Sequence, residues 1–164
     1  MIFFLKIMEW GLGMNKTDLE KYGIKLLRCG GLRYVYSDGR ACQIRHSGRC
    51  KPVLSDPQNI FCVRPDLIGW FWGSSFVLEI KTSRADFLRD KKKKAYVGEY
   101  FYYLAPDGLI DPHEIESWMG LYQISNDGEI LRTKAAERRL NHSKDIEIAI
   151  LLSIVRGKNR NKQR

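Results

Sequence analysis

The chain has 164 residues, 44% of them hydrophobic, with 28 Lys and Arg against 19 Asp and Glu and a formal net charge of +9. That length holds one domain with a real core, and the composition excludes a disordered chain. No apolar run reaches a membrane span and no long amphipathic helix is set aside for a lipid surface, so the basic surplus, with a pI near 9.5, points to a polyanionic partner or to plain solubility charge.

Residues 1–14, MIFFLKIMEWGLGM, begin apolar, are interrupted by Lys6, and lack a basic leader and a small-residue cleavage site. They are expected to be flexible or to reflect a mis-assigned start, with Met8 and Met14 as alternative starts. The expected compartment is the cytoplasm, where the four cysteines stay reduced.

Asn15 to Cys29 reads as a helix. Thr17 and Glu20 have capping-box spacing, Leu19, Tyr22, Ile24, Leu26 and Leu27 give an incomplete apolar stripe, and Gly30-Gly31 ends it. Leu32 to Tyr36 suits a first strand. Arg40 to Asn59 is polar, carries Pro52 and Pro57, and reads as a long loop. Cys42, His46 and Cys50 recur every four residues, with Cys62 following. A Cys₃His set suits tetrahedral zinc, although this spacing matches no common finger pattern and scattered reduced cysteines are the alternative.

From Arg64 to Lys94 the sequence is RPDLIGWFWGSSFVLEIKTSRADFLRDKKKK. Two runs rich in Val, Ile, Phe and Trp flank a break at Gly73-Ser74, which predicts strands at Asp66–Trp72 and Ser75–Lys81 joined as a hairpin. In that register Asp66 opposes Lys81 and Ile68 opposes Glu79. Alternation puts Asp66, Ile68, Val77, Glu79 and Lys81 on one face and Phe76, Leu78 and Ile80 on the other. Neighbouring carboxylates repel each other, and a divalent cation relieves that repulsion. Mg²⁺ accepts a few carboxylate oxygens and keeps waters, one of which can attack a phosphodiester, with Lys81 orienting it or meeting the developing charge. A cross-strand Asp66–Lys81 ion pair on a solvated edge accounts for the same residues.

Ser83 and Asp86 have capping-box spacing, so a second helix starts at Ser83 and runs to about Val97, with Ala85, Leu88 and Ala95 inward and Arg84, Arg89 and Lys91 to Lys94 outward. Tyr100 to Leu104 reads as a buried strand. Asp111 to Ser117 suits a short helical turn. Trp118–Ile124 and Glu129–Arg132 flank the hairpin signal Asn126-Asp127-Gly128. Ser143 to Val155 predicts a helix burying Ile146, Ala149, Ile150, Ser153 and Ile154. Residues 156–164, RGKNRNKQR, are basic without an acid and are expected to be a disordered tail after the 15–155 domain.

Pro65-Asp66, followed after twelve residues by Glu79-Ile80-Lys81, resembles the signature of the PD-(D/E)XK nuclease superfamily. The continuation Thr82-Ser83-Arg84-Ala85-Asp86-Phe87, then Asp90-Lys91-Lys92, is similar to its MmcB-like DNA-repair branch, as are Tyr100 to Pro106, Gly120 to Ile124 and Asp127 to Ile130. The resemblance covers roughly residues 60–155. It implies an α/β fold with a restriction-endonuclease-like αβββαβ core and mixed sheet, here extended by a C-terminal hairpin and helix. It also implies metal-dependent cleavage of DNA, in repair or processing. On that reading Asp66, Glu79 and the carbonyl of Ile80 bind Mg²⁺ or Mn²⁺, Lys81 is the catalytic lysine, and Glu20 on the first helix is a candidate extra ligand. Arg84, Arg89, Lys91, Lys92, Lys93, Lys94, Arg156, Lys158 and Arg160 are the expected DNA contacts. A non-catalytic DNA-binding module of the same fold and an RNA-processing nuclease are the alternatives, and the oligomeric state is open.

If Cys42, His46, Cys50 and Cys62 hold structural zinc, the purified protein carries about one zinc per chain and loses thermal stability on chelation. Elemental analysis checks this, and a metal-free result removes the zinc site.

Overall fold

The computed structural model describes residues 14–32, 34–37, 43–44, 50–51, 65–90 and 97–162. Asn15 opens the first helix, α1 (Lys16–Cys29), by accepting a hydrogen bond from the Asp18 N–H at 3.0 Å. Asparagine is among the strongest N-caps, so the helix begins two residues before the start that a Thr17 cap would set. The expected Thr17–Glu20 capping box is therefore corrected: both residues lie inside the first turns. At the other end the N–H of Leu32 reaches back to the Leu27 carbonyl at 3.1 Å, with Gly31 at φ +88°.

The remaining elements follow as β1 (Tyr34–Ser37), β2 (Gln43–Ile44), β3 (Cys50–Lys51), β4 (Leu67–Phe71), β5 (Ser74–Ile80), α2 (Arg84–Asp90), β6 (Tyr100–Pro106), a 3₁₀ turn at Pro112–Glu114, β7 (Gly120–Ile124), β8 (Ile130–Lys134) and α3 (Lys144–Lys162). Six strands form one mixed α/β sheet in the order β1-β4-β5-β6-β7-β8, and β2 and β3 form a separate two-stranded ladder. β5, β6 and β7 run parallel, while β1, β4 and β8 are antiparallel to their neighbours. The side chains of the possible zinc residues Cys42, His46, Cys50 and Cys62 lie outside the described residues, as do those of Lys91 to Lys94.

The two faces of the sheet have separate cores. On one face Leu19 and Leu27 of α1 pack with Leu67, Leu78, Ile80, Leu104 and Ile124. On the other, Ile68, Val77, Phe101, Tyr103 and Leu121 pack with Phe87 of α2 and with Ile146 and Ile150 of α3. The alternation expected for the hairpin therefore holds. In α2 the inward residue is Phe87, fully buried against Tyr103, rather than Ala85 and Leu88, both of which are exposed. A single bulky ring fills a space that the short apolar pair cannot.

The hairpin register differs from the expected one. Its two-residue loop is Trp72-Gly73, with φ of 48° and 82°, and Phe71 pairs with Ser74, Ile68 with Val77 and Leu67 with Leu78. A tight hairpin of this type needs left-handed backbone at both central positions, and glycine serves at the second. Moving the loop by one residue shifts the pairing by two, so every side chain keeps its face while its partner changes. Asp66 consequently opposes Glu79, not Lys81.

α3 continues to Lys162, where a helix ending at Val155 and a disordered tail were expected. Lysine and arginine propagate a helix well and suit its C-terminal end. Its docking rests on Glu147, whose Oε1 accepts from the Ser75 hydroxyl at 2.6 Å and from the Gly98 N–H at 3.1 Å. No helix among the described residues is long and apolar enough to cross a membrane.

Gly23 lets α1 settle close to the sheet. A Cβ there would stand 2.5 Å from Leu67 Cδ1 and 2.9 Å from Leu78 Cδ2. Gly23→Ala therefore destabilises the fold by about 1–3 kcal/mol in urea unfolding, despite alanine's better helix propensity.

Candidate functional site

Parallel strands β5, β6 and β7 end together at Ile80, Pro106 and Ile124, the edge of such sheets where ligands commonly bind. Asp66 stands beside the end of β5, one step beyond the last β4–β5 pair, which sets it across from Glu79. Its Oδ2 accepts a hydrogen bond from the Ile80 N–H at 2.9 Å, and its Oδ1 pairs with the Lys16 ammonium at 2.5 Å. Lys16 is the first residue of α1. Its pKa is raised above the ordinary lysine value, first by the hydrogen bond to Asp66. Burial opposes the shift, and the charges of Asp66, Glu79 and Asp86 reinforce it.

Lys81 follows the end of β5, and its N–H donates to the Leu104 carbonyl at 2.9 Å. The side chain is 2% exposed, with Nζ 3.9 Å from Glu79 Oε2 and 4.0 Å from Asp86 Oδ2. Ser83 caps α2 by accepting from the Asp86 N–H at 3.2 Å, which holds Asp86 at the helix start beside Lys81. Asp86 also pairs with Arg89. Three carboxylates, Asp66, Glu79 and Asp86, thus surround two lysines, one buried and one largely exposed.

The structure places Asp66, Glu79 and Lys81 at the end of β5, with Asp66 across from Glu79 where the sequence set it across from Lys81. Glu20 does not join them. It is half-buried on α1, and the residue of α1 that reaches Asp66 is Lys16, one turn earlier. The two are one turn apart along the same side of the helix, and position rather than charge decides which arrives. Arg84 and Arg89, expected as DNA contacts, are exposed and also engaged within the protein: Arg84 forks onto Glu114, and Arg89 pairs with Asp86. α1 also exposes Lys21, which pairs with Asp18 at 3.1 Å, with Lys25 and Arg28 at i, i+4 and i+7, a stripe legible in the sequence as a helical repeat of basic residues. The side chains of Arg156, Lys158 and Arg160 lie outside the described residues.

Mg²⁺ and Mn²⁺ prefer hard oxygen donors completed by water. The carboxylates of Asp66 and Glu79 and the Ile80 carbonyl fit in kind. Among the described residues no group of three His, Cys, Asp or Glu could hold a metal ion, so water would have to fill much of any shell.

No family model matches the sequence, and no curated protein matches it. Among solved structures the chain is similar to a protein of unknown function from Silicibacter pomeroyi, with 17% identity, 91% of this chain and 90% of that chain covered, and a TM-score of 0.57. At that identity the likeness concerns the fold alone.

The two lysines respond differently to removal. Lys81→Met leaves Glu79 and Asp86 without a buried counter-charge and costs about 1–3 kcal/mol, less than a fully buried pair because both carboxylates reach solvent. Lys16→Met, at an exposed pair, changes stability by less than about 1 kcal/mol. Denaturant unfolding of the two variants measures the difference.

Proposed function

We propose that this protein hydrolyses phosphodiester bonds in DNA with Mg²⁺ or Mn²⁺, as a nuclease of the PD-(D/E)XK type. The observation that carries the reading is Asp66 set across from Glu79, with the Lys81 ammonium 3.9 Å from the Glu79 carboxylate, at the edge where the parallel strands end. The order α1-β1-β4-β5-α2-β6 also accords with an αβββαβ core, and the net charge of +9 suits a polyanion.

Asp66 and Glu79, with the Ile80 carbonyl, are the residues to hold the metal, which when bound supplies an activated water and neutralises phosphate charge. Burial and the flanking carboxylates hold the Lys81 ammonium in place, so it meets the developing negative charge or orients the water without reorganisation. The phosphate backbone is met by the exposed basic stripe of α1, Lys21, Lys25 and Arg28, together with the basic sequence after Asp90 and at the C-terminal end.

A second reading, a DNA-binding module that does not cut, is favoured by one observation: the Asp66 carboxylate already has a cation, Lys16, against Oδ1. Cleavage assays on linear, nicked, branched and single-stranded DNA and on RNA separate the readings. Asp66→Asn, Glu79→Gln and Lys81→Ala are each expected to lower cleavage by about two to three orders of magnitude. The carboxylate variants keep DNA binding or tighten it, because a negative charge near the phosphate has gone. Equal cutting by wild type and Asp66→Asn rejects the centre, and tight binding without cutting of any substrate selects the binding module.

A further inference from the structure

The Asp66 carboxylate has no idle oxygen. Oδ2 is used by the Ile80 N–H, a backbone contact that fixes the carboxylate relative to β5, and Oδ1 is used by Lys16. Oδ1, the oxygen that Lys16 holds, is the one not tied to the backbone of β5. Lys16 differs from Lys81 in the property that matters for exchange: its side chain is 62% exposed, against 2% for Lys81. It projects from the first residue of α1, beside the Asn15 cap, on a four-carbon stem free to turn into solvent. An ion pair whose lysine is largely solvated and whose carboxylate is 16% exposed lets the lysine turn away more readily than one whose lysine is buried.

We propose that Lys16 is the resident cation of this cluster, a residue that sets the divalent-metal affinity of the centre by competing for Asp66 Oδ1. In the metal-free protein its ammonium relieves the repulsion between Asp66 and Glu79. A divalent cation arriving at the same oxygen meets the Lys16 ammonium as a like charge, so the centre fills at a higher metal concentration than the bare carboxylates would need. The competition is an exchange of one cation for another, with no bond made or broken within the chain. The inference rests on the metal-centre reading above and deepens it, since it assigns α1 a cationic role where that reading looked for an acidic ligand in Glu20.

Mn²⁺ binding, followed without nucleic acid by electron paramagnetic resonance and calorimetry, tests it directly. Lys16→Met keeps the length of the stem and removes the charge, and is expected to bind Mn²⁺ about tenfold more tightly than wild type. Lys16→Arg keeps the charge and is expected to resemble wild type. Thermal unfolding in chelator verifies that both variants are folded, as the exposure of residue 16 implies. An unchanged or weakened Mn²⁺ affinity in Lys16→Met overturns the competition and leaves the nuclease reading standing. Asp66→Asn is expected to abolish the site. Mn²⁺ binding that survives Asp66→Asn, or that is absent from wild type and Lys16→Met alike, overturns the metal centre and the competition together.

Discussion

The pairing of Leu67 with Leu78 carries Asp66 to the position opposite Glu79, and every feature of the charged cluster depends on that register. Two fully buried leucines at the pair, facing α1, hold it, since slipping the hairpin by one residue would turn them into the opposite layer. The hydrogen bond from the Ile80 N–H to Asp66 extends the contact between the segments past the last strand pair. A carboxylate thereby takes over a backbone donor at the sheet edge, and the side chain gains a fixed orientation at the end of β5.

The cluster owes its chemistry to unequal solvation of like groups. Lys81 is enclosed, and its ammonium sits between Glu79 and Asp86 at about the limit of ion pairing. Lys16 stands in water at the helix start and touches Asp66 closely. Charges in the less polar interior interact more strongly and move less, so the buried lysine is a permanent part of the electrostatic field. Carboxylates divided between these two lysines have one enclosed counter-charge and one exposed one, the latter being the cation that the proposed metal would displace.

Strand β5 is anchored at both ends by polar contacts. At its start, the hydroxyl of Ser75 donates to Glu147 of α3 and accepts from the Glu99 N–H at 2.9 Å. A buried carboxylate needs such partners, and here they tie α3 to the sheet far from the cluster. At its finish, Glu79, Ile80 and Lys81 face the metal-binding and lysine chemistry proposed above. α1, seated close over the same strand by Gly23, delivers Lys16 to that end. Close helix–sheet packing and the placement of a charged side chain thus have one cause.

Much of this was legible in the chain itself. Period-two alternation assigned Ile68 and Val77 to one face of the hairpin and Leu78 and Ile80 to the other, because strand geometry alone decides which way a side chain points. Gly30-Gly31 ended α1, and Asn126-Asp127-Gly128 joined β7 to β8, because backbone conformation at turns is a local property. The tertiary structure decided the rest. The hairpin's register turned on which residues adopt left-handed backbone, Trp72 with Gly73 rather than Gly73 with Ser74. The approach of Lys16 to Asp66, fifty positions away, depends on how α1 lies across the sheet. The inward turn of Phe87 depends on the space above Tyr103, and the capture of Arg84 by Glu114 on a loop from another strand. Such contacts join segments remote in sequence, and periodicity along one segment contains no information about the distance to another.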